Sequence, residues 1–325
     1  MKQNLYIGHP SQICAVEEVR LVGGKGDGMH LFQVRNETGL EITISADRCA
    51  DISRLIFKGY NMGYFSPCGY VAPAYYDKNG TGFLKSFTAG FLTTCGLHAA
   101  GSPCVDEGEE LPMHGSIGNT PCEHIWWAED EDHIYIHAQV NDSVIFDRKL
   151  VLERKITCGK RTNNIEINDT VHNMGDDPCP LMLMYHMNMG YPLLSENAVV
   201  DIRSEQIVPR NEHAAKDLET YAKMLKPTPS FEEQCYYHHF NDEGYAAIYN
   251  PDIQKGLAIS FDPKVLTHFT QWKMMGQRDY VLGLEPGNCH PDGRDVMRRQ
   301  GTLQILEPGE SATFTVTVTL FEEQP

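Results

Sequence analysis

The feature that most constrains this chain is the strict two-residue alternation of its apolar side chains. Phe314, Val316, Val318 and Leu320 alternate with Thr315, Thr317 and Thr319 near the C-terminus. Ile134, Ile136, Ala138 and Val140 alternate with Tyr135, His137 and Gln139, and Leu40, Ile42 and Ile44 with Glu41 and Thr43. Ile165 and Ile167 flank Glu166, and Val171 continues their face. Successive side chains of a strand point to opposite faces, so each run sets one apolar face on a core and one polar face in water. Turn residues punctuate the runs: Asn36 and Gly39, Asn79-Gly80, Asn173 to Gly175, and Glu307-Pro308-Gly309-Glu310.

A helical period is present only from Asn211 to Leu225, where Ala215, Leu218, Ala222 and Leu225 recur before Pro227. The segment from Tyr60 to Pro112 is rich in Gly, Pro and aromatic residues and lacks a period. It is expected to form long loops over one end of the fold, where binding groups tend to sit. No solenoid or propeller repeat and no low-complexity linker divides the chain. The expectation is one all-β domain over residues 1–325, with large antiparallel sheets packed face to face or one strongly curved sandwich.

Charge narrows the partners. Asp and Glu number 44 against 27 Lys and Arg, a formal net charge of −17. Nucleic-acid affinity rests on clustered cations, and anionic membrane surfaces repel such a chain. No apolar run reaches the ~20 residues of a membrane span. The N-terminal stretch lacks the apolar core of a signal peptide, so the expected location is the cytoplasm. Ten cysteines are scattered without a Cys-x-x-Cys pair, which favours reduced thiols serving as small core residues. Oligomeric state stays open, with a homodimer one candidate because long sheets with coverable edges often pair.

Four segments place ionisable or aromatic groups beside Gly and Pro. They are Met113-His114-Gly115 to Asn119-Thr120-Pro121, Tyr185-His186-Met187-Asn188-Met189-Gly190-Tyr191-Pro192, Thr270-Gln271-Trp272-Lys273, and Leu282-Gly283-Leu284-Glu285-Pro286-Gly287-Asn288. His186 and Asn188 stand two apart in an extended segment and so share a side. Each feature alone has a plain structural explanation: a loop hydrogen-bonder for His114, a core histidine for His186, a core aromatic for Trp272, a strand-ending carboxylate for Glu285.

Together, and in this order, the segments resemble the aldose 1-epimerase superfamily, in particular its bacterial "aldose 1-epimerase family" branch. The segment Asp47-Arg48-Cys49-Ala50-Asp51-Ile52 and the closing Leu306-Glu307-Pro308-Gly309-Glu310 are part of that likeness, which spans nearly the whole chain. The resemblance implies a galactose-mutarotase-like β-supersandwich with an open sugar-binding face. It implies Glu285 as general base on the anomeric hydroxyl and His186, protonated at the start, as general acid on the ring oxygen. It further implies His114 as a second donor, Arg48, Asp51, Asn188 and Lys273 as hydroxyl binders, and Trp272 as a stacking platform. No cofactor is implied, because neither hydride transfer nor carbon–carbon cleavage occurs. The first motif departs from the Asn-Arg pair of galactose mutarotases, which points to a sugar other than galactose.

Rival readings stay open. A glycoside hydrolase needs two carboxylates flanking the scissile bond, and Asp51 keeps that reading alive. A non-catalytic sugar-binding protein would not need Glu285 and His186 together. An isomerase acting at another carbon often needs a metal, but His98, His114, His186 and His290 match no familiar ligand spacing, so no metal ligands are assigned. Lys273, Arg48, Arg294 and the Arg298-Arg299 pair are candidates for an acidic group on the sugar, with surface or structural charges the alternative for the last three.

Overall fold

The computed structural model describes residues 5–323. Its framework is antiparallel. Eight strands form one sheet, in the order 124–129, 133–143, 149–159, 164–173, 311–321, 255–261, 244–250 and 199–202. A second, seven-stranded sheet carries 206–209, 234–239, 268–275, 280–287, 179–189 and 304–306, with 92–97 also paired to 179–189. A five-stranded sheet covers residues 15–61. The alternating runs behave as their period requires: Ile134, Ile136, Ala138 and Val140 are buried, as are Phe314, Val316, Val318 and Leu320. One hydrophobic cluster joins inner faces of all three sheets, from Phe32 through Tyr185 and Leu284 to Leu320.

The strand Cys179–Met189 is the hub. Its odd residues Leu181, Leu183, Tyr185, Met187 and Met189 belong to that core. Its even residues therefore face the other side of the seven-stranded sheet. The same division runs through Tyr280–Gly287, where Leu282 and Leu284 enter the core and Gly283 and Glu285 look outward. Between the sheets Arg154 is fully enclosed. It donates to both Asp169 oxygens at 2.9 and 2.7 Å, to Asp51 Oδ1 at 2.9 Å and to Thr94 Oγ1 at 2.8 Å. Tyr185 Oη donates to the same Asp169 at 2.8 Å. Every ion here has its partner, as burial demands.

Two expectations are corrected. The stretch from Asn211 to Leu225 is not one helix but a single turn, Glu212–Ala215, capped by Asn211, followed by a separate 3-10 turn at Leu218–Thr220. The Thr220 carbonyl accepts from Lys273 Nζ and the Tyr221 carbonyl from Gln271 Nε2, so tertiary donors occupy acceptors that a continuing helix would use. The stretch from Tyr60 to Pro112 contains the strand Leu92–Leu97, all six residues of which are buried. A strand buried on both faces has no alternation to detect. A seven-residue helix, Arg294–Gln300, also lies in a region assigned no element from sequence. Its Arg294 and Arg298 both bind Asp106, so these arginines are structural ion-pair partners. The ten cysteines are free thiols. Among the described residues no helix is long and apolar enough to cross a membrane.

Candidate active site

Strand register builds the site. Met187 pairs with Leu284 and Met184 with Gly287, which sets His186 directly across from Glu285 on the outward face. On the other flank of Glu285 stands Thr270, its partner in the next strand, and two residues further along is Trp272. His186 Nδ1 lies 3.3 Å from Glu285 Oε1, with 6% and 2% of the two side chains exposed. Among the described residues neither atom has a hydrogen-bond partner, nor do Thr270 Oγ1 and His114 Nδ1. Buried polar atoms left unpaired are costly, and their convergence on one cleft marks a binding function.

His114 reaches the cleft by an unusual backbone. Its φ is +56°, left-handed for a residue with a side chain, and Gly115 follows at +70°. A Cβ on Gly115 would collide with the Ala99 and Gly96 carbonyls, so only glycine permits the turn. Strain of this kind persists where surrounding structure enforces it, often at functional sites. The turn brings the His114 ring within 5.5 Å of His186, edge to face, and within 5.1 Å of Phe83. Phe87 and Trp272 each meet the His186 ring edge-on at 5.3 Å.

The resulting cleft holds about 360 Å³, within the usual size of small-molecule sites. Phe83, Phe87, Met113 and Trp272 make it apolar on one side, and His114, His186, Glu285 and Thr270 supply polar groups. Electrostatics follow from burial. Enclosure, reinforced by the negative charge of Glu233, pushes the Glu285 carboxyl well above the usual carboxylate range. Enclosure lowers His186 to about 4 and, with His186 and Arg210 nearby, His114 to about 3. Burial thus disfavours the charged form of both groups, so the low-charge state of the pair has one proton, held on the carboxyl, beside a neutral imidazole.

A family model described as a domain of unknown function, DUF4432, matches residues 26–320. The chain belongs to that family. This DUF4432 protein is 30% identical to a Klebsiella pneumoniae protein described as a candidate aldose 1-epimerase, with a TM-score of 0.89 over 95% of this chain and 83% of that one. Its fold is also that of a galactose mutarotase-like protein from Clostridium acetobutylicum (TM-score 0.71, 12% identity, 96% and 99% covered). The galactose 1-epimerase of Lactobacillus acidophilus gives 0.66 at 13% identity, with 96% and 100% covered. No curated protein matches the sequence. The aldose 1-epimerase resemblance carried by the motifs thus extends to the fold.

Of the residues singled out in the sequence of this DUF4432 protein, the structure brings His114, His186, Trp272 and Glu285 to the cleft. The other four lie elsewhere. Lys273 points to the opposite face from Trp272 and donates to the Thr220 carbonyl at 3.1 Å. Its burial lowers the amine to about 8. Asp51 serves Arg154 and Thr94, and Arg48 is buried and donates to the Val71 carbonyl at 3.0 Å. Asn188 shares the His186 side, yet it is fully buried and gives its amide to the His186 carbonyl at 2.9 Å.

Two charged residues in the cleft escaped sequence reasoning. Arg210 follows the strand Gln206–Pro209 and is tied to Asp292 at 3.0 Å, Ser102 Oγ at 3.0 Å and the Pro291 carbonyl at 3.0 Å. Glu233 precedes the strand Gln234–His239 and accepts Trp272 Nε1–H at 2.7 Å, fixing that indole. Neither sits in a recognisable motif; a charge beside a strand end is the only sequence signal. Among the described residues no group of three or more His, Cys, Asp or Glu is arranged to hold a metal ion.

Proposed function

We propose that this protein is a mutarotase that interconverts the α and β anomers of a neutral reducing sugar. The observation that carries the reading is the unpartnered His186–Glu285 contact, set beside an aromatic wall in a sugar-sized cleft. Opening a hemiacetal removes one proton and adds another at neighbouring oxygens, so a paired acid and base suffice.

The single shared proton fixes the sequence of events. Glu285 first passes it to His186 across the 3.3 Å gap. The carboxylate then takes the proton of the anomeric hydroxyl while the imidazolium protonates the ring oxygen. The carbon–ring-oxygen bond breaks as the carbonyl forms, the aldehyde rotates, and reclosure on its other face reverses both transfers. Each positioned group contributes roughly 10² to 10⁴-fold. His114 and Thr270 offer further hydrogen bonds to sugar hydroxyls, and Trp272 offers its face to the sugar's C–H surface.

Charge favours a neutral sugar. Arg210 is neutralised by Asp292, whereas Glu233 has no ion-pair partner among the described residues. The cleft thus carries a carboxylate in excess, on a chain of net charge −17. A phosphate, sulfonate or uronate would meet repulsion there.

The test is exchange-resolved proton NMR on a panel of neutral and acidic reducing sugars. Accelerated α–β exchange for a neutral sugar, abolished by Glu285→Gln, supports the proposal. Binding without acceleration across the panel would overturn it in favour of a carbohydrate-binding role. A second reading has one specific observation behind it: Glu233 is a second carboxylate in the same cleft, as glycoside hydrolysis requires. Sugar release from aryl glycosides, lost on Glu233→Gln, would establish that reading instead.

A further inference from the structure

The strand His124–Glu129 closes one side of the eight-stranded sheet and has no neighbour beyond it among the described residues. Its register with 133–143 pairs Trp126 with His137 and Trp127 with Ile136, and Asp130 N–H continues the ladder by bonding the His133 carbonyl at 3.0 Å. In an antiparallel ladder every second residue bonds a given neighbour. The even residues are thus committed to 133–143, and the backbone N–H and C=O groups of Ile125, Trp127 and Glu129 point off the sheet.

The side chains of these same odd residues lie on the core side. Ile136, opposite Trp127, is 1% exposed, yet Trp127 itself is 39% exposed. Ile125 packs on the core but is only partly covered. The core therefore runs past the edge without a lid. Other edges carry the usual protection. Ala15–Arg20 bears Glu17, Glu18 and Arg20, Gln206–Pro209 ends in proline, and Val199 is bridged to Lys223. His124–Glu129 contains neither Lys nor Pro.

We propose that this strand is a dimer interface, joined about a two-fold axis to the same strand of a second copy of this chain. A two-fold perpendicular to the sheet pairs residues of equal parity, so Trp127 of each copy meets at the axis. That register sets Ile125 opposite Glu129 of the second copy, and Lys160 Nζ, 2.8 Å from the Glu129 carboxylate, keeps its charge balanced. On the outer face it sets Trp126 beside Ala128, large against small, and His124 beside Asp130, base against acid. The backbone edge, the half-covered tryptophan and the end charges are satisfied together by one self-complementary pairing.

Sedimentation velocity on the full chain at micromolar concentrations tests this. The wild type is expected to sediment as a dimer, and Trp127→Glu, which faces two carboxylates across the axis, to raise the dissociation constant more than about tenfold. Val199→Glu, on the opposite edge of the same sheet, is expected to leave the dimer intact. Far-UV circular dichroism verifies that both variants fold. Hydrogen exchange provides an independent readout, in which amides of Ile125, Trp127 and Glu129 gain protection as protein concentration rises. A monomeric wild type, or a dimer equally sensitive to both variants, would overturn the proposal.

Discussion

Glu285 rests on Gly283: the carboxylate folds back over the bare Cα two residues earlier on its own strand. A methyl group there would overlap Glu285 Oε1 and press on the Trp272 Cβ. Gly283 is therefore part of the site without offering any group to substrate. Gly283→Ala is expected to cut the anomer exchange rate by about 10²-fold, the usual effect of an ångström-scale misplacement. Thermal unfolding measured in parallel should change little, which distinguishes displacement of the carboxylate from loss of the fold.

The shared proton dictates the pH profile. Below about 4 His186 gains a proton while Glu285 keeps its own, so no base remains and the rate falls. Above the raised pKa of Glu285 the pair loses its only proton, so no acid remains and the rate falls again. The acid limb is expected near 4, below the 6.5 at which an unperturbed histidine would titrate. An acid limb centred near 6.5 in kcat/KM, measured by NMR exchange on the assigned sugar, would contradict the buried-pair description.

Stability follows the same groups with a definite sign. The folded state holds a proton on Glu285 that the unfolded state releases above about 4.5. Wild-type stability therefore declines as pH rises from there toward the folded pKa. Glu285→Gln removes this penalty. The variant is expected to melt higher than wild type at pH 8, by a few degrees, with the gap closing at pH 4. Calorimetry at the two pH values reads the difference, in a protein whose activity is lost.

Arg154 neutralises two buried carboxylates, Asp51 and Asp169. Arg154→Met leaves both without their cation and is expected to cost about 3–5 kcal/mol in urea unfolding. Lys273→Met is a contrast, because it removes one amine that donates to a single carbonyl. Its cost should be smaller, and catalysis should survive.

The sequence made some of this legible for identifiable reasons. Phe314 to Leu320 and Ile134 to Val140 read as one-sided strands because one face meets the core and the other meets water. Leu92–Leu97 did not, since both of its faces are covered. In the candidate site, His186 and Glu285 were found through motif order, but their direct opposition is a matter of register between strands almost a hundred residues apart. Lys273 was separable from Trp272 in principle: adjacent residues of a strand cannot both face one cleft. Arg210 and Glu233 were not separable, because long-range packing alone brings their strand ends to the mouth.

The opposition of His186 and Glu285 across a hydrogen-bonded ladder also divides chemistry from recognition. Their spacing is that of the sheet itself, whereas Phe83, Ser102 and Met113 arrive from the connecting segments above. Substitutions or insertions in those segments can reshape the sugar pocket while the proton-handling pair keeps its distance. Such an architecture is free to diversify in what it binds over evolutionary time, with the reaction itself held constant.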